Sequence, residues 1–157
     1  MQDSTATPII IGIDPGKSGS IIILRPNGKV EKYKTPETPY DLNELLRNFR
    51  GNSICFLEKV HGMPGMAGGS MFRFGENYGW LTMALISNKI RTELVTPQKW
   101  MAYYEVGTKG KSTGTEWKNK LKAKAQQIFP RETITLQFAD ALLIAEYGRR
   151  FYNSNMK

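Results

Sequence analysis

Three carboxylates in this chain stand where an acid is hard to explain by solubility alone. Asp14 follows the apolar run Ile9-Ile10-Ile11-Gly12-Ile13 and is followed at once by Pro15-Gly16. Glu58 closes a second apolar run that begins at Ser53. Asp140 lies between Ala139 and Ala141, in a run to Ala145 that is otherwise apolar. A charge embedded there needs a partner, because an unpaired buried charge is very costly. The chain has one histidine and one cysteine, so a multi-cysteine or paired-histidine zinc site is not available. Three oxygen donors suit a hard cation, Mg2+ or Mn2+. Two such ions bridging the carboxylates can activate a water and stabilise a leaving oxygen, which is the chemistry of in-line phosphodiester hydrolysis. Each acid also has an ordinary explanation. Asp14-Pro15-Gly16 reads as a turn, Glu58 as the partner of a surface lysine, and Asp140 as the partner of Arg149 or Arg150.

The elements that must position these acids follow from hydrophobic patterning. Residues 7–13 are apolar and β-branched and stop at a turn, which predicts a strand. Residues 20–25 predict a second strand and residues 29–34 a third, joined by the hairpin signal Pro26-Asn27-Gly28. Asp41 is expected to cap a short helix carrying Leu42, Leu45, Leu46 and Phe49. Residues 53–58 form the next strand, and residues 61–70, rich in Gly and Met, a loop. A long helix is expected over 71–87, a fifth strand over 89–95, and a helix capped by Thr96 with Pro97 at its first position. A basic loop at 107–115 leads to a lysine-rich helix over 115–129, ended by Pro130, and a final helix covers 135–151. Residues 1–6 read as a loose tail on a single domain.

This order predicts an α/β fold: a five-stranded mixed sheet, three antiparallel strands then parallel ones, with helices on both faces. That is the ribonuclease H-like layout. If the first and fourth strands are neighbours, Asp14 and Glu58 open into one site at the strands' carboxyl ends, where ligands enter such sheets. The segment Gly12-Ile13-Asp14-Pro15-Gly16-Lys17-Ser18 also looks like a phosphate-binding P-loop. It is one residue short, and a strand follows where a helix is required.

The formal net charge is +8, and a basic surface attracts polyanions, nucleic acid above all. Lys109, Lys111, Lys118, Lys120, Lys122 and Lys124 concentrate that charge. On a helix, Lys118 and Lys122 share one face and Lys120 and Lys124 another. Such rows can follow a phosphate backbone without reading sequence, or simply be a solvated face. Lys111 or Lys118 could neutralise charge in the transition state. The apolar runs are too short to span a bilayer, no export signal opens the chain, and a lone cysteine fits a reducing compartment. A reducing, cytoplasmic setting is expected.

Ile11-Gly12-Ile13-Asp14-Pro15-Gly16, followed by Ser18-Gly19-Ser20, resembles the opening motif of RuvC-type Holliday junction resolvases. Glu58-Lys59-Val60, Phe74-Gly75 with Gly79, Val95-Thr96-Pro97 and the run from Ala139-Asp140-Ala141 to Ala145 are similar to later motifs of that family, in order along nearly the whole chain. Residues 70–75 and Tyr147-Gly148 look most like its phage branch. The resemblance implies a homodimer that nicks four-way and related branched DNA in pairs, with Mg2+. Asp14, Glu58 and Asp140 match three of the family's four metal-site acids.

The fourth departs. The family places Asp or His three residues before the last acid, and some relatives place Asp four before; here stand Gln137 and Leu136. A glutamine carbonyl can ligate a hard cation but adds no charge. Gln137 is therefore expected to line the metal site, and a weakly active or inactive branched-DNA binder is the rival reading. His61 matches the position of an aromatic wedge in the family, and imidazole stacks on an exposed base, or it is a loop histidine bonded to water; Phe72 and Phe74 read as core or dimer-contact residues and otherwise as alternative wedges. Gly75 and Gly79 share a helical face on which another helix can approach, and Tyr78, Trp80, Leu81 and Leu85 could complete a two-fold interface. The same residues could instead pack on their own sheet. A sugar kinase or actin-like ATPase also opens with a strand and an Asp-Gly turn, but its adenosine-binding motif has no counterpart.

Overall fold

The computed structural model describes residues 6–62 and 64–155, so all but the last residue of the expected tail lies outside the described residues. Three strands come first: β1 (Ile9–Asp14), β2 (Ser20–Leu24) and β3 (Val30–Lys34). They are followed by α1 (Pro39–Arg47), β4 (Ser53–Glu58), α2 (Gly68–Ser87), β5 (Arg91–Val95), α3 (Pro97–Tyr103), α4 (Gly114–Ile128) and α5 (Leu136–Asn155). The sheet order is β3-β2-β1-β4-β5. β1 pairs antiparallel with β2 and parallel with β4, and β4 pairs parallel with β5. The expected mixed sheet is present, with β1 and β4 side by side.

Strand alternation splits the core into two layers. Ile11, Ile13, Ile21, Ile23, Cys55 and Leu57 point to one face, where Leu42 and Leu46 of α1 and Leu81 and Leu85 of α2 cover them. Ile10, Ile22, Leu24, Ile54 and Phe56 point to the other, under α5 and flanked by Trp100, Trp117 and Leu121. Continuous apolar runs in β1, β2 and β4 are the signature of strands covered on both sides.

Local chemistry adjusts some boundaries. Thr38, not Asp41, caps α1: its hydroxyl accepts the Asp41 N–H at 3.1 Å, and Pro39 fills the first helical position. α2 starts at Gly68, inside the stretch expected to be loop. Thr96 caps α3 as expected. Thr113 and Glu116 form a reciprocal capping box at the start of α4.

Two glycines bring α5 down onto the sheet. A Cβ on Gly12 would run into the Ala141 carbonyl and Ala145, and one on Gly148 would run into the Phe56 ring. The helix therefore lies at backbone distance from β1 at Gly12 and flat on the Phe56 ring of β4 at Gly148. No helix among the described residues is long and apolar enough to cross a membrane.

Candidate active site

The register fixes where the acids go. Ile13 of β1 pairs with Leu57 of β4, so Asp14 and Glu58 follow side by side at the carboxyl ends of adjacent parallel strands. By alternation each shares a face with the residue two before it, Gly12 and Phe56 respectively, and that face carries α5. Asp140 projects from the first turns of α5. The three acids thus meet at one end of the sheet, from segments far apart in sequence.

Their electrostatics reflect that meeting. Burial pushes the Asp14 carboxyl well above the ordinary aspartate range, and the nearby Asp140 and Glu58 charges push it further, while Lys118 pulls the other way. Burial also raises Glu58; a hydrogen bond from Trp100 opposes the rise and the Asp140 charge adds to it. Asp140 is raised by burial and lowered by Lys118. Three half-buried acids that destabilise one another's charge form a site that gains from a cation. Among the described residues, however, no group of three His, Cys, Asp or Glu side chains is drawn together as a preassembled metal cage. The donor set and the mutual repulsion fit hard divalent cations.

Asp14 does lead into a turn, as expected, but the ion-pair explanations of Asp140 and Glu58 do not hold among the described residues. Arg149 and Arg150 pair with the buried Glu146, at 2.7 and 2.6 Å, rather than with Asp140. Among the described residues Glu58 has no lysine partner; its Oε2 accepts the indole N–H of the fully buried Trp100 at 2.7 Å. Asp14 ends a strand and pairs in register with Ser20. Sequence reasoning missed Trp100, although its place after the Thr96-Pro97 cap put it one turn into a helix beginning beside Glu58.

Gln137 stands one helical turn before Asp140. Its main-chain carbonyl accepts the Ser20 hydroxyl at 2.8 Å, and its side-chain amide nitrogen reaches the Gly19 carbonyl at 3.5 Å. The amide therefore ties α5 to the β1–β2 turn. Gly16 sits in that turn at φ +106°, with the Phe74 ring against it. Phe72 is 72% exposed. His61 is exposed on the loop after β4.

The lysines separate. Trp117, Leu121 and Ala125 form the buried stripe of α4. This rotation brings Lys118 within electrostatic reach of Asp14 and Asp140, whereas Lys111 lies exposed on the preceding loop with Lys109. Lys122 is half-buried one turn beyond Lys118, and Lys120 is exposed and approaches Gly107. Lys124 lines a hollow with Tyr103, Tyr104 and Arg150 instead.

On α2, Gly75 and Gly79 are exposed, with open space where a Cβ would be. Tyr78 and Trp80 pack partly against the α1–α2 core layer, and Leu81 and Leu85 are fully buried in it. The last two belong to the chain's own core rather than to an interface, because the C-terminal half of α2 turns its apolar side to the sheet.

No family model matches the sequence, and no curated protein matches it closely. Solved structures do match the fold. RuvC of Thermus thermophilus in complex with a Holliday junction substrate superposes with a TM-score of 0.65 at 16% identity, over 94% of this chain and 96% of that one. A second Thermus thermophilus RuvC structure gives a TM-score of 0.61 at 19% identity, covering 93% and 95%. The yeast mitochondrial Holliday junction resolvase Ydc2 gives 0.53 at 16% identity, covering 94% and 80%. The fold of this chain is accordingly the ribonuclease H-like fold of the RuvC proteins.

Proposed function

We propose that this protein is a metal-dependent endonuclease that resolves four-way and related branched DNA by paired phosphodiester hydrolysis. The observation that carries the reading is the convergence of Asp14, Glu58 and Asp140 at the carboxyl ends of β1 and β4, under α5, in a fold shared with RuvC. Asp14, Glu58 and Asp140 would hold the cations, Mg2+ or Mn2+, two per site, and Gln137 is a neutral neighbour one turn away. Bound there, such ions would supply an activated water and neutralise the leaving oxygen.

The chain's own residues do the rest. Trp100 fixes the rotamer of Glu58 through its indole N–H. Lys118, beside Asp14 and Asp140, offsets negative charge as the phosphorane-like transition state forms. Lys109, Lys111, Lys120 and Lys122 hold the phosphate backbone, and His61 is a candidate to stack at the branch point. The exposed glycine face of α2 supports a homodimer, which paired nicking requires. Residues 70–75 and Tyr147-Gly148 support placement with the phage branch of the resolvases.

A second reading is a weakly active or inactive branched-DNA binder, favoured by the engagement of the Gln137 amide with the Gly19 carbonyl. The deciding experiment is a panel of branched and linear DNAs incubated with Mg2+, beside an Asp14→Asn control. Symmetric nicks lost in the control support the enzyme. A retarded band without nicks supports the binder.

A further inference from the structure

Between the β1–β2 turn, the end of β3, the first half of α2 and the start of α5 lies a hollow of about 650 Å3. None of the three acids lines it, but its walls reach close neighbours of Asp14 and Asp140 along the chain. Gln137, one turn before Asp140, forms one wall. Asn77 forms another, and its Oδ1 accepts the N–H of Gly16, two residues after Asp14, at 3.3 Å.

The lining combines three kinds of group. Trp80, half-buried, supplies a flat aromatic surface. Two amides have their orientation set by the backbone. The Asn77 carbonyl is occupied by Gly16, which leaves its amino group as a donor. The Gln137 amino group is turned to Gly19, which leaves its carbonyl as an acceptor. Thr35 completes the set: it is buried, and its hydroxyl is the one buried side-chain polar atom among the described residues with no hydrogen-bond partner. A buried hydroxyl without a protein partner is unusual.

The charge balance narrows the class of ligand. Lys17, Lys34 and Arg73 stand exposed at the rim, but Glu37 and Glu76 line the same hollow. A pocket built for a phosphate would not carry two acids. A neutral, planar group with donors and acceptors along one edge suits it, and the rim cations suit phosphates on either side. That is the chemistry of a nucleobase splayed out of a strand.

We infer that this hollow is a nucleobase subsite that reads a nucleotide beside the bond to be cut. The inference rests on the nuclease reading and adds to it a source of sequence preference: Trp80 stacks the base, and Asn77, Gln137 and Thr35 test its edge. A bidentate edge contact discriminates by about 1–3 kcal/mol, so a preference of about tenfold is expected.

The test uses four-way junctions that differ by one base at each position around the nick, with Mg2+, and the ratio of cleavage rates within each protein variant. Thr35→Val removes the unpaired hydroxyl while keeping the shape, so folding is preserved. Trp80→Leu removes the stacking surface. Wild-type protein is expected to prefer one base at one position by about tenfold, and both variants to bring that ratio toward one. In parallel, 4-thiothymidine at the preferred position, without Mg2+, is expected to photocrosslink to the peptide bearing Asn77 and Trp80. Cleavage without base preference, an unchanged ratio in both variants, or crosslinks confined to the lysine-rich segment overturns the subsite and leaves the nuclease intact. Absence of both binding and nicking on every junction overturns the nuclease reading and the subsite together.

Discussion

Trp100 donates its indole N–H to Glu58 Oε2 at 2.7 Å from a position with no solvent exposure. A hydrogen bond to a charged acceptor is worth about 1.5–3 kcal/mol, and this one stabilises the charged form of an acid that burial and Asp140 push toward protonation. Trp100→Phe keeps a ring in the core and deletes the donor. The expected outcome is about a tenfold rise in the Mn2+ concentration needed for half-maximal cleavage, with much of the rate recovered at saturating metal. A purely structural loss would lower the maximal rate and leave the metal midpoint where it was.

The acids should also set how stability responds to pH. Asp14, Glu58 and Asp140 all have folded-state pKa values above their ordinary ones, so the folded chain binds more protons than the unfolded chain between those values. Their contribution is fully present below the unfolded pKa and is lost as pH rises through the folded pKa. Metal-free protein should therefore melt at a lower temperature at pH 7 than its other groups alone would dictate. Added Mg2+ should raise the melting temperature more at pH 7 than at pH 5, and Asp14→Asn should shrink that difference. Equal Mg2+ shifts at both pH values would show that the cation acts elsewhere.

Gly12 and Gly148 are expected to tolerate no side chain. A Cβ at Gly12 meets α5 main chain, which cannot rotate away as a side chain can. Gly12→Ala and Gly148→Ala should each cost about 1–3 kcal/mol, the usual scale of overpacking, read as a lower denaturation midpoint. Gly12→Ala should also slow cleavage in the surviving folded fraction, because the displaced helix carries Asp140.

Lys118 and Lys124 lie on the same helix and should behave differently. Lys118 acts electrostatically on Asp14 and Asp140, whereas Lys124 faces Tyr103 and Tyr104. Lys118→Met is expected to lower kcat by about ten- to a hundredfold, the loss of one transition-state charge contact. Lys124→Met should act mainly on KM, and by less. Equal kcat losses would remove the distinction.

The outer side of α2 should govern self-association. Phe72, Met83 and Ile86 are exposed there, beside the open glycines Gly75 and Gly79. Phe72→Asp should shift sedimentation from dimer toward monomer and convert paired nicks to single ones. A wild-type chain that sediments as a monomer at micromolar concentration would count against the two-fold arrangement.

Much of this site was legible in the sequence because its signals are local. Asp14 announces itself by ending an apolar strand at a Pro-Gly turn, and Asp140 by interrupting an alanine-rich helix. The three-strand meander followed from its short turns, whereas the pairing of β1 with β4 was only a condition that the sheet order met. Other parts depend on rotation and proximity, which spacing does not encode. Trp100 in a short helix reads as core until β4 is placed beside it. Lys118 separates from Lys111 only once Trp117 and Leu121 fix the roll of α4. Leu81 and Leu85 sit on a helix whose two halves face different surroundings. The hollow at Trp80 draws on four separate segments, and no single stretch of sequence announces it.

The contact of α5 with the sheet through Gly12 and Gly148 bears on how such a chain can diverge. Where a helix is positioned by interlocking side chains, each core substitution moves it a little, and the displacements accumulate. Here the helix rests on main chain at Gly12, so its height above β1 is inherited from covalent geometry. The isoleucines and leucines around it are free to be exchanged in compensating sets, while Phe56 is held by its contact with Gly148. The spacing between Asp14 and Asp140 is thereby insulated from drift in the core, which is consistent with a fold that persists at 16–19% identity.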